Sequence, residues 1–225
     1  MFPLPLLSQA TAPGRASGAV RDEAGAPVAG VEVLLVPAAR PGNAAQVRTA
    51  AVRTSQDGRF SADDLQDGTY SVCMYVPRSD YLNSCLWNPN NAKVTVEGGR
   101  PVDIPPVTLR KGHRTQVRLT DPAGYLRRVE PARESGAHVL IGVFTPARQF
   151  VPATLVSVSP TEKIYEVVLP FATALAITAA SDYYQLANTT GEALNKGHNA
   201  SAPVTVARGA PQTIVDLRIT GLHTR

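Results

Sequence analysis

From residue 16 onward, apolar and polar residues alternate over short runs that glycine, proline and Asp-Gly turns separate. Alternation with a period of two places successive side chains on opposite faces of a strand, so each run predicts a half-buried β-strand. The sequence has no long segment with the 3.6-residue period of an amphipathic helix, so we expect no large helices. This pattern is typical of an all-β sandwich. The predicted strands span residues 17–21, 31–37, 50–55, 58–62, 68–76, 93–96 and 102–109, followed by 115–120, 138–144, 154–159, 163–169, 175–180, 204–206 and 213–219.

The predicted strands fall into two sets that meet at residues 109–113, a junction too short for a flexible linker. Residues 92–101 read AKVTVEGGRP and residues 202–211 read APVTVARGAP, and a Ser-Asp-Tyr triplet follows an apolar strand at both 79–81 and 181–183. Short hairpins can look alike by chance, but we favour a tandem of two related sandwiches. We therefore expect a leader over residues 1–15, one β-sandwich over 16–111 and a second, a diverged repeat of the first, over 112–225.

Three motifs in the first half occur in a specific order. Residues 18–31 follow G-x-V-x-D-x-x-G-x-P-x-x-G-V, residues 54–60 follow T-x-x-D-G-R-F, and residues 65–70 follow L-x-x-G-x-Y. With these motifs, residues 16–111 resemble the carboxypeptidase regulatory-like family of transthyretin-like sandwiches, which accompanies metallocarboxypeptidases and occurs in many exported bacterial proteins. The resemblance implies an immunoglobulin-like, non-catalytic accessory domain. We expect Phe60 and Tyr70 to fill its core, and Gly58 and Gly68 to form tight turns. The second half matches no family by its motifs.

The chain contains two cysteines, Cys73 and Cys85. Their spacing is too wide for a Cys-x-x-Cys redox pair, and the four histidines are too distant in sequence to complete a metal site. We predict a disulfide, with two free buried thiols as the alternative. A disulfide implies an oxidising compartment. Residues 1–10 read MFPLPLLSQA and resemble the end of a secretory signal without its basic region, the alternative being a disordered leader. We expect a secreted or periplasmic protein of the bacterial cell envelope.

Composition narrows the chemistry further. The net charge of +4 comes almost wholly from scattered arginines, without the basic stripe and interleaved aromatics that nucleic-acid binding needs, and no apolar run is long enough to span a membrane. The sequence lacks zinc-protease, serine-hydrolase, phosphate-loop and dinucleotide motifs. His138 is predicted to lie in a strand as a structural residue. The aspartates at 57, 63, 64 and 67 are better explained as turn residues than as a calcium site. We expect no catalytic residues, no metal and no cofactor.

The segment over residues 77–92 carries Trp87, the one tryptophan, together with Tyr81 and Asn88. A disulfide would anchor it to the preceding strand, and aromatic and amide side chains on an anchored loop suit contact with a sugar or a protein. The alternative is that Trp87 caps the core. The corresponding segment over residues 181–201 carries Tyr183 and Tyr184.

These patterns predict a non-catalytic exported module that binds or spaces a protein or glycan at the cell surface through loops of two β-sandwiches. The competing hypothesis is a carbohydrate-binding module, or an accessory part of a larger carbohydrate- or peptide-active enzyme.

Overall fold

The computed structural model describes residues 13–38, 48–88, 91–129, 139–193 and 202–223. The protein is all-β, with two short helices among these residues. Neither helix is long and apolar enough to cross a membrane. The chain divides into two compact units, unit 1 ending at Arg110 and unit 2 beginning at Lys111.

Unit 1 contains eight strands and one helix: β1 (Gly14–Asp22), β2 (Glu32–Pro37), β3 (Ala50–Arg53), β4 (Arg59–Leu65), β5 (Gly68–Tyr75), α1 (Ser84–Trp87), β6 (Lys93–Val96), β7 (Pro101–Asp103) and β8 (Val107–Leu109).

Unit 2 contains one helix and nine strands: β9 (His113–Thr120), α2 (Tyr125–Val129), β10 (Leu140–Phe144), β11 (Phe150–Pro152), β12 (Thr154–Val158), β13 (Glu162–Leu169), β14 (Leu175–Ala180), β15 (Tyr184–Asn188), β16 (Ala202–Val204) and β17 (Thr213–Leu222).

Each unit is built from two sheets, and the two units share one strand topology. In unit 1 the first strand, β1, lies between β4, which is antiparallel to it, and β7 and β8, which are parallel to it. In unit 2 the first strand, β9, lies between antiparallel β13 and parallel β17. The second sheet has the order β3-β2-β5-β6 in unit 1 and β11-β10-β14-β16 in unit 2. The similar segments 92–101 and 202–211 therefore occupy equivalent places in the two strand orders.

Unit 2 adds two strands to this shared plan. Strand β12 extends the first sheet beyond β13, and β15 pairs with β17 at its other edge. Neither β15 nor β11 was predicted, because the 181–201 segment is polar and β11 is only three residues long. The last short strand was predicted at 204–206, whereas β16 spans Ala202–Val204.

The core of unit 1 follows the alternation of its strands. Phe60 and Tyr70 are buried, as the motifs predicted, and they pack with the apolar residues of both sheets. The partly buried Tyr70 hydroxyl donates to the Gln66 carbonyl at 2.8 Å, and without this bond it would have no polar partner there. Gly58 has a φ of +74°, and a Cβ there would lie 2.6 Å from the Val20 carbonyl oxygen. The Asp-Gly turn before β4 therefore requires glycine on grounds of both conformation and space.

The first strand of each unit leads into an Asp-x-Ala-Gly turn, at residues 22–25 and 121–124. The sequence analysis did not note this similarity between the two halves. The Asp22 carboxylate accepts from the backbone N–H groups of Ala24 and Ala26, both at 2.9 Å. The buried Asp121 carboxylate accepts from the Leu126 N–H at 2.6 Å. In each turn the glycine has positive φ, 82° at Gly25 and 72° at Gly124. The aspartates act as local caps for the chain leaving the first strand.

The predicted leader lies mostly outside the described residues, and so does His138. Strand β1 begins at Gly14, so the sandwich includes residues 14 and 15, which the sequence had assigned to the leader. The sequence placed the junction of the two halves one residue later than the division between Arg110 and Lys111.

Thr54 links two segments of unit 1 and gives a test of this packing. Its buried hydroxyl donates to the Val28 carbonyl at 2.7 Å and accepts from the Val31 N–H at 2.9 Å. Thr54→Val keeps the shape but leaves both backbone groups without a partner, so we expect the free energy of unfolding to fall by about 1–3 kcal/mol. Thr95→Val, which removes an exposed hydroxyl contact with Thr69, is the control and should change it by less than about 0.5 kcal/mol. Urea denaturation measures both, and equal losses would contradict this role for Thr54.

Candidate functional site

The candidate site of unit 1 is the stapled loop, residues 77–92, of which residues 77–88 and 91–92 are described. Cys73 and Cys85 form the predicted disulfide, with their Cα atoms 4.9 Å apart. Cys73 lies on the outer face of β5, since Val72 and Met74 on either side of it point into the core. Cys73 is nevertheless only 5% exposed. The loop therefore covers the outer face of the sheet at this position.

A second anchor lies beside the disulfide. Strand β6 pairs with β5 only as far as Ser71, and beyond it the Ala92 carbonyl accepts from the Val72 N–H at 2.8 Å. The next N–H on that edge belongs to Met74, and it donates to the Ser84 hydroxyl at 2.7 Å. Ser84 is itself buried. Ser84 at the start of α1 therefore takes the place of β6 at this edge of the sheet. The loop is fixed to β5 at two adjacent residues, by the Cys85–Cys73 disulfide and by the Ser84–Met74 hydrogen bond.

The short helix α1 is capped by its own sequence. The Asn83 side chain accepts from the Cys85 N–H at 3.0 Å, as an N-cap does. At the other end Asn88 ends the helix, and its backbone N–H donates to the Ser84 carbonyl at 3.0 Å. The Asn91 amide lies 3.8 Å from the Cys73 sulfur and donates to it. These contacts fix the backbone on which Trp87 is carried.

The predicted contact residues of unit 1 differ in exposure. Trp87 is half-buried and Asn88 is exposed, so both present atoms to solvent at the end of α1. Tyr81 is half-buried and packs against the hydrophobic core. Tyr75, which the sequence analysis did not single out, is 39% exposed at the end of β5, two residues from the disulfide. Trp87 and Asn88 are therefore the predicted contact residues of this loop that reach solvent at the end of α1. Tyr81 contributes to the packing of the core.

The Ser-Asp-Tyr triplets of the two units share one hydrogen bond. The Ser79 hydroxyl accepts from the Tyr81 N–H at 3.2 Å, and the Ser181 hydroxyl accepts from the Tyr183 N–H at 3.1 Å. The residue after each triplet then joins the edge of the first sheet, where Leu82 N–H donates to the Arg110 carbonyl at 2.9 Å and Tyr184 pairs with Leu222. The triplet therefore marks the crossing from the second sheet to the first.

This crossing corrects one predicted contact residue. Tyr184 occupies the place of Leu82 in unit 1, the first inward position after the crossing, and its side chain is 0% exposed. A fully buried ring has no surface for a ligand, so Tyr184 is a core residue of unit 2. Tyr183 is half-buried and stays available at the surface.

Three of the four acidic residues considered for calcium have other partners. Hydrogen bonds from the Ser55 hydroxyl and the Arg59 backbone N–H lower the pKa of Asp57. Asp63 forms an ion pair with Arg15, and Asp67 accepts from the Gly98 N–H at 2.9 Å. Across the described part of the chain, no three histidine, cysteine or acidic side chains are grouped as a metal site requires.

An open groove of about 720 Å³ lies on the first sheet of unit 1, beside the break between β7 and β8. Its lining includes the hydroxyls of Ser17, Ser55 and Ser61, but none of its lining residues is a histidine or a cysteine. The Ser17 hydroxyl donates to the Asp103 carboxylate at 2.7 Å. A serine nucleophile needs an adjacent base to take its proton, and a histidine is not among the lining residues. The lining of this groove therefore holds no serine–histidine pair.

Sequence reasoning did not identify Ser84, although the sequence carried a signal for it. Asn83-Ser84 directly precedes the apolar run Cys85-Leu86-Trp87, which is a helix-start pattern. The burial of the Ser84 hydroxyl depends on where β6 ends, and the sequence pattern does not fix a strand end to within one residue.

Comparisons with known proteins agree with the resemblance noted from the sequence. The family model of the carboxypeptidase regulatory-like domain matches residues 15–77. The match covers β1 to β5 of unit 1. A search of curated proteins finds no match.

Solved structures with a similar chain path are β-rich proteins at low identity. A streptococcal ancillary pilin is 16% identical with a TM-score of 0.43, and the alignment covers 93% of this chain and 63% of the pilin. The shaft pilin SpaA of Lactobacillus rhamnosus GG is 9% identical with a TM-score of 0.30, and the alignment covers 96% of this chain and 100% of the pilin. The 3-chlorocatechol 1,2-dioxygenase of Rhodococcus opacus 1CP is 14% identical with a TM-score of 0.31, covering 47% and 62%. The chain thus spans less than two thirds of the ancillary pilin. Residues 15–77 of this chain are thus similar in sequence to the carboxypeptidase regulatory-like domain.

Proposed function

We propose that this protein is an exported, non-catalytic binding module of the bacterial cell envelope, and that unit 1 contacts a protein or glycan through the stapled loop. The observation that carries the proposal is the double anchoring of α1 by the Cys73–Cys85 disulfide and the Ser84–Met74 hydrogen bond. Ordering a loop before binding lowers the entropy lost when a partner docks. A loop with two anchors is therefore a suitable contact surface.

The side chains on this loop fit recognition better than reaction. Trp87 offers a large ring that is partly exposed, Asn88 offers an exposed amide, and Tyr75 lies nearby on β5. Tryptophan and tyrosine are enriched among residues that dominate binding energies, because they bury much area with few rotatable bonds. A planar ring beside an amide also suits a sugar, which has apolar faces and polar edges. A glycan partner is therefore the second candidate.

Export is supported by the disulfide itself. Disulfides persist in secreted and periplasmic proteins, whereas the reducing cytosol keeps most thiols free. The non-catalytic role is in keeping with the regulatory-like match over residues 15–77, because such domains accompany catalytic domains.

Trp87→Ala tests the contact surface. If the loop binds a partner, removing the ring should weaken binding by about tenfold or more, since a hot-spot residue contributes 1–2 kcal/mol or more. Binding is measured on a glycan array and on an extract of cell-envelope proteins. Tyr125→Ala, which removes a half-buried aromatic from unit 2 outside the candidate contact residues, is the matched control.

The two assays separate the candidates. A glycan signal that Trp87→Ala removes would identify a sugar partner, whereas a blank array with a Trp87-dependent protein contact would identify a protein. Binding that survives Trp87→Ala unchanged in both assays would show that the stapled loop is not the contact surface.

The disulfide provides a further test through the double variant Cys73→Ser/Cys85→Ser. Opening a loop of separation 12 should lower the free energy of unfolding by about 2–3 kcal/mol in the chain-entropy model. We also expect chymotrypsin to cleave near Trp87 in this variant and not in the native protein, because the loop then keeps only its hydrogen-bonded anchor. Urea denaturation and limited proteolysis measure the two effects. A variant that keeps native stability and resists cleavage would show that the disulfide does not hold the loop.

A further inference from the structure

The open groove on the first sheet of unit 1, which we call the Ala19 groove, has a cause in the strand pairing. Its lining residues all belong to the described part of unit 1. Residues 105–106 are both proline, and proline has no backbone N–H to donate to β1. The pairing with β7 therefore ends at Ser17, and the pairing with β8 begins at Val20. Gly18 and Ala19 line the groove at this gap, because neither has a side chain that could fill it.

A row of polar side chains crosses the sheet on one side of Ala19. Ser61 on β4, Ser17 on β1 and Asp103 on β7 lie opposite one another in register. They point away from the core, since side chains alternate along a strand and Phe60 beside Ser61 is buried. The Ser17 hydroxyl donates to the Asp103 carboxylate at 2.7 Å. A carboxylate accepts about four hydrogen bonds, and a hydroxyl both donates and accepts, so this row keeps capacity for the hydroxyl groups of a ligand.

Three arginines also line the groove, Arg21 on β1, Arg53 at the end of β3 and Arg59 on β4. Arg53 pairs with Glu32 at 2.6 Å, and Arg59 pairs with Asp57 at 3.3 Å. Both acids lie outside the lining of the groove. The two ion pairs thus hold Arg53 and Arg59 at the groove, and each guanidinium keeps N–H groups that its acid does not use.

Arg21 has no acidic partner. Its Nη1 atom donates to the Gly25 carbonyl at 2.9 Å, and among the described residues it forms no ion pair. A guanidinium has five N–H donors in a planar fork, so one bond orients the group and leaves the others for a ligand. This fork matches the two oxygens of a carboxylate. Arg21 is therefore the cation of the groove whose charge is open to an anionic group.

We propose that the Ala19 groove binds an acidic oligosaccharide, with a carboxylate on Arg21 and hydroxyl groups on the row of Ser61, Ser17 and Asp103. Both halves of the groove are needed to select this class. A simple anion would be repelled by Asp103, and a neutral sugar would leave Arg21 without a counter-charge. The net charge of +4 on the chain also favours the approach of a polyanion.

The spacing of the two halves sets the size of the ligand. Ser17 and Arg21 are four residues apart on β1, which is about 13 Å along an extended strand. An oligosaccharide spans this distance, whereas a single sugar ring does not. The groove is open and its arginines are exposed, so binding should be weak and sensitive to salt, with a dissociation constant from about 0.1 mM to about 1 mM.

Titration of the whole chain with an oligogalacturonate, followed by calorimetry, tests the proposal. Arg21→Gln should weaken binding about tenfold or more, because it removes a charge-assisted pair of hydrogen bonds. Arg100→Gln is the matched control, since Arg100 is exposed on the turn before β7 and does not line the groove. It removes the same charge from the same unit and should change the affinity by less than about twofold. Thermal unfolding of each variant checks the fold.

Asp103→Asn separates a sugar from a simple anion. It should weaken the binding of oligogalacturonate, because the hydroxyl groups of the sugar lose a charged acceptor. A ligand held by charge alone should bind more tightly to this variant, since a repelling carboxylate is removed. Polyglutamate, which has carboxylates without hydroxyl groups, and a neutral galacto-oligosaccharide are the two comparison probes. Equal binding of either probe and of oligogalacturonate to the native protein would overturn the assignment to an acidic sugar.

Trp87→Ala distinguishes this site from the stapled loop, which lies over the other sheet of unit 1. Binding of oligogalacturonate should survive Trp87→Ala if the Ala19 groove is the site. Loss of binding in Trp87→Ala with no effect of Arg21→Gln would place the sugar on the stapled loop and overturn the groove. Equal weakening by Arg21→Gln and Arg100→Gln would also overturn it. A native protein that binds no oligogalacturonate at about 5 mM would overturn the groove as well, and would leave a protein contact through the stapled loop unaffected.

Discussion

The pairing of the first strand holds each unit together. Strands β1 and β9 each have an antiparallel neighbour on one side and a parallel neighbour on the other, and the parallel neighbour comes from the far end of the unit. Because hydrogen-bond register and side-chain alternation are linked, this pairing decides which residues of the sheet point inward. Every other feature depends on that choice. The inward positions are mostly apolar in both units, although unit 2 buries Thr115 and Lys163 at inward positions. The larger differences between the units lie at outward positions, turns and edges.

The second sheet shows what those outward positions can do. In unit 1 the outer face has charges at Glu32 and Lys93 and a covalent cover over Cys73; in unit 2 the equivalent positions are Leu140, Pro203 and Thr178. One strand plan therefore supports two kinds of surface. A loop fixed at two points suits a specific contact, because its geometry is set before binding.

Alternation and turn residues predicted most of the fold from the sequence. The all-β fold and the inward positions of Phe60 and Tyr70 followed from local patterns. The site was less predictable. Tyr183 and Tyr184 have the same local sequence character, yet the crossing between sheets exposes part of one and buries the other. The three successive apolar residues Val72, Cys73 and Met74 interrupt the alternation of β5, and all three are buried. This interruption was the sequence feature that indicated a cover over the outer face of the sheet. The contact of Ser84 with the sheet edge could not be predicted from the sequence. It depends on where β6 ends, and β6 comes later in the chain.

A continuous apolar run such as residues 140–144 shows the limit of predicting burial on both faces of a strand from sequence. The same five residues fit a strand covered on both faces by its own chain and a strand whose second cover is another molecule. Periodicity does not distinguish the two. In β10 the inward residues Ile141 and Val143 are buried, whereas the outward residues Leu140 and Phe144 are half-exposed. The apolar run therefore reports the inward packing of the strand, and its outward residues carry no separate signal in the pattern.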